Sequence, residues 1–167
     1  MKQLKMFGNK VKYSIDTSAI LNGYNRYYPP DVFPTLWEKI ESLIKNGDLK
    51  ATEMVLEELK RKKDDAYKWA KQQEKGLFAP VDEDVKSIVS TIRKDYYDTK
   101  DEKNSKEDMA DPFVIALAKK HGATVISGEK PQPQGKKKNP TIPLICKNLR
   151  VKYINFLELI RTEQWSF

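Results

Sequence analysis

The chain has 167 residues, and its 31 Lys and Arg against 24 Asp and Glu give a formal net charge of +7. This length fits a single α/β domain over residues 1–167, and the positive charge favours a nucleic-acid partner over an acidic metabolite. The single cysteine, Cys146, excludes an internal disulfide and a cysteine-based zinc cluster.

No apolar run reaches the ~20 residues that span a bilayer. The segment from Met1 to Lys12 also lacks the apolar core of a signal peptide. We therefore expect a cytoplasmic protein with no membrane partner.

The first predicted element is a strand that ends at Asp16. Apolar and polar residues alternate over residues 11–16, and residues 17–19 can cap a helix. Asp16 therefore follows the carboxyl end of a predicted strand, which is where open α/β sheets bind ligands. From this segment alone, a role in capping the next turn is an equally good interpretation.

An aromatic and proline-rich connection, residues 21–34, comes next. Because its prolines forbid a continuous helix, we expect an ordered loop. An amphipathic helix is then predicted from Pro34 until the Asn46-Gly47 pair.

A second strand, residues 48–52, leads into a helix that carries Glu58. Val55 and Leu59 mark the buried face of this helix, and Glu58 lies near the edge of that face, where it can reach a cleft. The alternative is an ordinary solvated acid. The basic run that follows begins at Lys60, which is a candidate to contact a nucleic-acid phosphate.

Two more helices are predicted at residues 64–75 and 82–96, and the polar stretch 97–108 is predicted to be an exposed loop. Asp111 then opens the segment 109–122, which is apolar on most sides. This pattern indicates a buried helix whose leading end carries Asp111 into the interior. Because Asp111 precedes a proline, an N-cap is the simpler alternative.

The β-branched run 123–127 predicts a strand that ends next to Glu129. The polar segment after it, residues 130–140, supplies further candidates to contact phosphates, namely Lys130, Lys136, Lys137 and Lys138. A solubilising loop is an equally good interpretation. A strand at residues 151–154 and a helix opened by Asn155 follow. The alternation of strands and helices predicts a mostly parallel sheet covered on both faces.

Four acids thus occupy comparable places near strand or helix ends: Asp16, Glu58, Asp111 and Glu129. Oxygen-only ligands suit Mg²⁺ or Mn²⁺ and argue against zinc. Clustered carboxylates repel one another unless a proton or a cation neutralises them. Asp108 is a reserve candidate, with a solvated loop acid as its simpler role.

Four segments together resemble the PIN-domain nucleases, whose members include the VapC-like proteins: IDTSAI, VLEEL, ADPFVIALAKKHG and VISGE. Matched motif by motif, the acids of the family fall on Asp16, Glu58, Asp111 and Glu129. The resemblance implies a three-layer α/β/α fold and metal-dependent hydrolysis of RNA. It implies Asp16 and Asp111 as principal ligands of Mg²⁺ or Mn²⁺, Glu58 as a ligand directly or through water, and Glu129 as an outer ligand or a water-orienting group.

The aromatic loop at residues 27–37 and Trp69 resemble a PIN-like bacterial and archaeal group of uncharacterised function. Because the superfamily includes VapC-type ribonuclease toxins, the resemblance implies an endoribonuclease of a toxin–antitoxin pair. The candidate partners are RNA, a cognate antitoxin and a second copy of the chain. Glu129 stands where Asp is commoner, and residues 130–140 look like an insertion. These departures keep open a catalytically weak or inactive module that binds RNA or a partner protein.

Overall fold

The computed structural model describes residues 10–97, 109–131 and 140–167. Within them, five short strands form one sheet in the order β3-β2-β1-β4-β5, and every adjacent pair is parallel. The strands are β1 (Tyr13–Ile15), β2 (Leu49–Thr52), β3 (Phe78–Ala79), β4 (Thr124–Ile126) and β5 (Tyr153–Ile154). The predicted parallel sheet is confirmed, and β3 is a short strand that the sequence pattern did not indicate.

Nine α-helices occur in the described part of the chain. They are α1 (Thr17–Asn22), α2 (Pro34–Lys45), α3 (Glu53–Lys62), α4 (Asp65–Gln72), α5 (Glu74–Leu77), α6 (Glu83–Tyr96), α7 (Asp111–His121), α8 (Ile142–Leu149) and α9 (Phe156–Thr162). The helices lie on both faces of the sheet, which makes three layers. The three-layer α/β/α fold that the motifs implied is confirmed by this layering and by the parallel sheet.

The central strand β1 marks the point where the strand order reverses. From β1 the chain adds β2 and β3 on one side, and it later adds β4 and β5 on the other. In open α/β sheets, such a reversal leaves a crevice at the carboxyl ends of the two strands that flank it. The last paired residues of β1 and β4 are Ile15 and Ile126. Asp16 and Ser127 therefore lie at the crevice.

Helix α7 is the buried helix predicted from its apolar sequence. Every residue from Pro112 to Ala118 is buried. The Ser14 hydroxyl donates a hydrogen bond of 2.8 Å to the Val114 carbonyl, so this buried polar side chain is satisfied while it ties α7 to β1. Gly122 ends the helix at a φ of 63°, a conformation that costs glycine little.

The loop predicted over residues 21–34 is wrong in its first part. Helix α1 continues into a π-helical segment, Gly23–Tyr27, in which the Tyr28 N–H donates to the Gly23 carbonyl at 2.8 Å. The prolines forbid a helix only where they stand, from Pro29 onward. A side chain at Gly23 would lie 2.8 Å from the Phe156 ring, so glycine permits this close packing.

Trp37 and Trp69, which carried part of the resemblance, form one cluster with Tyr24 and Phe156. The rings of Tyr24, Trp37 and Trp69 lie 4.9–5.7 Å apart, and Phe156 lies 5.7 Å from Trp37. The Trp37 indole N–H donates to the Tyr28 carbonyl at 2.6 Å. This cluster packs the π-helical segment against α2, α4 and α9.

Other predicted elements differ in detail. The helix predicted over residues 64–75 is divided between α4 and α5, with Gln73 between them. Helix α8 was not predicted, although its buried residues Ile142, Ile145 and Cys146 recur at helical spacing. Of the loop predicted at residues 97–108, all but Tyr97 lies outside the described residues. In the described ranges, no helix has both the length and the apolar character to cross a membrane.

Candidate metal centre

Asp16 is held in the crevice with its carboxylate turned toward other side chains. It is only 2% exposed. It is the N-cap residue of α1, as the capping interpretation expected, but its side chain makes no cap hydrogen bond. Its Oδ2 instead accepts hydrogen bonds from the Ser18 hydroxyl at 2.6 Å and the Ser127 hydroxyl at 3.2 Å. Residues after β1 and after β4 thus fix one carboxylate oxygen.

Asp111 is the first residue of α7 and is not its N-cap. The N-cap is Ala110. The Ala110 N–H donates to Glu58 Oε1 at 2.7 Å. Glu58 therefore satisfies the backbone N–H of the N-cap residue. This arrangement leaves the Asp111 carboxylate available to the other acids.

Glu58 reaches the crevice as its place on the edge of α3 predicted. It is half-buried, whereas its neighbour Glu57 is exposed. The charge of Glu58 contributes to raising the pKa values of Asp16 and Asp111, which places it near both. Its hydrogen bond to Ala110 ties α3 to the start of α7.

Glu129 completes a close group of three acids. One oxygen each of Asp16, Asp111 and Glu129 lies within 4.8 Å of the other two. The Glu129 N–H donates to the Ser127 hydroxyl at 3.1 Å, and its Oε2 accepts from the Ile142 N–H at 2.8 Å. Glu129 thus links the end of β4 to the first turn of α8.

The electrostatics of this group favour protons or a cation over three free negative charges. Burial is the main cause that raises the pKa of Asp16 to about 6, and it outweighs the opposing hydrogen bond from Ser18. Burial and then the charges of Asp16, Glu129 and Glu58 raise the pKa of Asp111 to about 8. An interaction with the Glu129 carboxyl group also contributes to the raised pKa of Asp111.

The donor set fits a hard divalent cation. Mg²⁺ takes oxygen ligands at about 2.1 Å, so opposite ligands stand about 4.2 Å apart. Oxygens within 4.8 Å of one another reach that geometry with small side-chain movements. Burial and the charges of Glu129 and Asp16 raise the pKa of the nearby Cys146 thiol to about 12, so this group does not offer a thiolate. The centre therefore suits Mg²⁺ or Mn²⁺ better than zinc.

A comparison of sequences places the chain in a family. The family described as "Domain of unknown function (DUF4411)" matches residues 13–167. The chain belongs to this family. Among solved structures, the chain is similar to VapBC2 from Rickettsia felis bound to a DNA fragment from their promoter. The identity is 14% and the TM-score 0.49, with 87% of this chain and 98% of that chain covered. No curated protein matches this DUF4411 member by sequence.

Three polar residues of this DUF4411 centre were missed because sequence reasoning considered only acids. Ser18 and Ser127 each stand two residues from a predicted acid, and that local spacing was available as a signal. Tyr97 had no such signal. Its hydroxyl is buried and, within the described residues, has no hydrogen-bond partner. Burial and the charges of Asp111 and Glu129 raise the pKa of Tyr97, so the phenol lies near these acids as a protonated donor.

The predicted phosphate-contacting lysines separate into three groups. Lys130 is exposed and lines a cavity together with Glu129. Lys60 is exposed on α3 and lines a different depression with Glu57, away from the three acids. The lysines that follow Lys130 lie outside the described residues, as does the reserve acid: these are Lys136, Lys137, Lys138 and Asp108.

Replacing Gly128 by alanine is expected to weaken divalent-ion binding severalfold. The Gly128 N–H donates to the Ser18 hydroxyl at 2.9 Å, and an added Cβ would stand 2.7 Å from the Asn22 amide nitrogen and 3.3 Å from Ser18 oxygens. Gly128 must therefore move away from Ser18, and this movement disturbs the Ser18 hydroxyl that orients the Asp16 carboxylate. Ligand-orienting groups of this kind are worth about 10–100-fold in metal affinity. Titration calorimetry with Mn²⁺ measures the change.

The matched control is Gly76→Ala. An added Cβ there meets the Ile44 side chain at 3.1 Å, a tight contact that lies outside the metal centre. This variant is expected to lower the melting temperature and leave the Mn²⁺ affinity unchanged. Equal losses of Mn²⁺ affinity in both variants would show that general destabilisation, and not the Ser18 contact, is responsible.

Proposed function

We propose that this protein is an Mg²⁺- or Mn²⁺-dependent endoribonuclease, formed by one domain over residues 1–167. The observation that carries the proposal is the convergence of Asp16, Asp111 and Glu129 at the strand-order reversal of a parallel sheet. These acids lie up to 113 positions apart in the sequence, and no packing requirement explains why three carboxylates share a buried crevice. The net charge of +7 supports a polyanionic substrate.

Each residue has a defined part in this proposal. A bound divalent ion would neutralise charge on the phosphodiester and increase the acidity of a nearby water. Asp16, Asp111 and Glu129 would hold that ion. Ser18 and Ser127 orient the Asp16 carboxylate through the hydrogen bonds to its Oδ2. Tyr97 offers its phenol as a donor beside the acids.

Glu58 has a positioning part in addition to its proposed role as a ligand. Its hydrogen bond to the Ala110 N–H sets the start of α7, and therefore the place of Asp111. A ligand role, direct or through water, stays a proposal that rests on the motif resemblance. Glu58 could serve both purposes, because Oε1 accepts the Ala110 N–H and the carboxylate has a second oxygen.

The choice of RNA, and of a cognate antitoxin as partner, rests on the motif resemblance. A toxin of a toxin–antitoxin pair requires an inhibitor made by the same cell, and the Asp16 crevice is the natural surface for such an inhibitor to block. The lysines of residues 130–140 remain proposed contacts to RNA, with Lys130 beside Glu129.

One observation favours the second candidate, a non-hydrolytic module that binds RNA. Glu129 Oε2 already accepts the Ile142 N–H at 2.8 Å. In this alternative the acids are held in place by internal hydrogen bonds, and no ion is needed.

The deciding experiment incubates single-stranded RNA with the wild type and with Asp16→Asn. For a nuclease, the wild type cleaves RNA with Mg²⁺ or Mn²⁺ and stops when EDTA is added, and Asp16→Asn fails to cleave under either condition. Binding of the same RNA is measured in EDTA. An RNA that is bound but never cleaved by the wild type with either ion would support the non-hydrolytic module and contradict the nuclease.

A further inference from the structure

A cavity of about 470 Å³ opens beside the metal centre. This volume falls within the ~300–1,000 Å³ typical of small-molecule sites. One wall is formed by Ser127, Gly128 and Glu129, the residues that follow β4. The cavity therefore shares Glu129, one of the three acids, with the metal centre. A molecule bound here lies next to this proposed ligand of the metal ion.

The other walls of the cavity are aromatic and apolar. Tyr27 and Tyr28 line it, and Tyr28 stacks on Phe156 with ring centroids 5.2 Å apart. Tyr27 is 56% exposed, and Leu157, also in the lining, is 42% exposed. The packed Tyr28 ring is a fixed surface, while the exposed Tyr27 is free to cover a planar ligand. Exposed apolar side chains grouped around a cavity are typical of a binding site.

Within the described residues, one polar side chain in the cavity has no hydrogen-bond partner. Asn22 lines the cavity, and none of the hydrogen bonds among the described residues uses its side chain. Its amide presents donors and an acceptor together, which is the pattern that pairs with the edge of a nucleobase. The acid Glu158, in contrast, is occupied by the capping box of α9.

One cation lines the cavity and a second contacts one of its tyrosines. Lys130 is part of the lining, and the Arg26 guanidinium lies 5.3 Å from the centre of the Tyr27 ring. Positive charges beside aromatic faces are what single-stranded nucleic acid requires, because its phosphates and its bases are then satisfied together. A peptide partner would use the apolar walls but would not require this pairing of cations with stacking faces.

We propose that this cavity binds one nucleobase of a single-stranded RNA, adjacent to the phosphodiester at the metal centre. The inference rests on the proposed function for the identity of the substrate. Tyr27 and Tyr28 would stack on the base, Asn22 would contact its edge, and Lys130 would contact a neighbouring phosphate. The cavity would then select which nucleotide lies next to the cleaved bond.

Binding of free nucleosides tests the cavity without involving the metal centre. Uridine, cytidine, adenosine and guanosine are titrated into the wild type in EDTA, with heteronuclear NMR as the readout. Since stacking on an aromatic ring is worth about 1–3 kcal/mol, Tyr27→Ala is expected to weaken the best-bound nucleoside about tenfold. The matched control, Phe167→Ala, removes an aromatic residue that is 64% exposed and outside the cavity lining. It should bind as the wild type does.

A second pair of variants uses leucines of equal exposure. Leu157 lines the cavity and is 42% exposed, and Leu144 lies outside the lining and is 44% exposed. Leu157→Ala is expected to weaken nucleoside binding and Leu144→Ala to leave it unchanged. The inference is overturned when the wild type binds none of the four nucleosides, or when Tyr27→Ala and Phe167→Ala bind them equally well.

An RNA experiment links the cavity to the substrate. Oligoribonucleotides with a single abasic residue at successive positions are bound in EDTA, so that no cleavage occurs. One position is expected to lose affinity with the wild type, and Tyr27→Ala should show no further loss there, because both changes remove the same contact. Full RNA affinity of Tyr27→Ala would overturn the inference and would favour a protein partner for the cavity.

Failure of the inference and failure of the proposed function are separable. RNA cleavage without nucleoside binding would leave the nuclease standing and remove the cavity from its substrate path. Nucleoside binding that is lost in Tyr27→Ala, without cleavage under any metal, would support the base site and contradict the nuclease.

Discussion

Replacing Asp111 by asparagine is expected to lower metal-dependent RNA cleavage on the order of 10³-fold, because one charged ligand of the ion is lost. The same change should raise the melting temperature of the metal-free protein. Burial and the charges of Asp16, Glu129 and Glu58 destabilise an ionised Asp111, and a neutral amide of the same size removes that cost. Cleavage at saturating RNA and thermal unfolding in EDTA measure the two effects.

The stabilisation of the folded state by a divalent ion is a second measurement on the same variants. An ion that binds only the folded state stabilises it by about 2.7 kcal/mol at a hundredfold excess over Kd. The wild type should show this gain with Mn²⁺, and Asp111→Asn should lose most of it. The control Asp65→Asn alters an acid whose side chain is 82% exposed. It should match the wild type in cleavage and in its response to Mn²⁺. A full Mn²⁺ response in Asp111→Asn would show that the ion binds elsewhere.

Much of the fold could be predicted from local pattern. In three segments, the spacing of the apolar residues was enough to predict the secondary structure. These are the helix α7, the strand that ends before Asp16 and the helix whose edge carries Glu58. Local pattern also placed the acids at the carboxyl edge of a parallel sheet, because strand ends share that edge.

The rest depended on contacts between residues far apart in the chain. The hydrogen bond between Glu58 and Ala110 spans 52 positions, and the one between Ser127 and Asp16 spans 111. No spacing rule relates such pairs. Local spacing could not predict the place of Tyr97 either. Its position beside Asp111 and Glu129 follows only from the packing of α6 against α7. The cavity likewise combines residues after β4 with the π-helical segment and α9.

Two helix starts explain how the carboxylates tolerate one another. The Ala110 N–H at the start of α7 donates to Glu58, and the Ile142 N–H at the start of α8 donates to Glu129. The N-terminal end of a helix carries a partial positive charge that favours nearby anions. These two ends therefore offset part of the repulsion around Asp16. They also contribute positive potential to the crevice where a phosphodiester would bind.

The metal-free protein is expected to lose stability as the pH rises from about 4 to about 8. The pKa of Asp16 rises from 3.8 to about 6 on folding, and that of Asp111 rises from 3.8 to about 8. Between the unfolded and folded values the folded state binds more protons, so its stabilisation is complete below the unfolded pKa and is lost as the pH passes each folded pKa. For Asp16, which is 2% exposed, this amounts to roughly 3 kcal/mol.

Urea unfolding in EDTA at a series of pH values between 4 and 9 measures this dependence. Asp16→Asn should flatten the curve between about pH 4 and pH 6, and Asp111→Asn should flatten it between about pH 4 and pH 8, since an amide does not titrate in this range. Saturating Mn²⁺ should oppose the fall in the wild type, because the ion binds ionised carboxylates and becomes a stronger ligand as protons leave. Parallel pH curves for the wild type and both asparagine variants would show that these two carboxyl groups do not hold the extra protons.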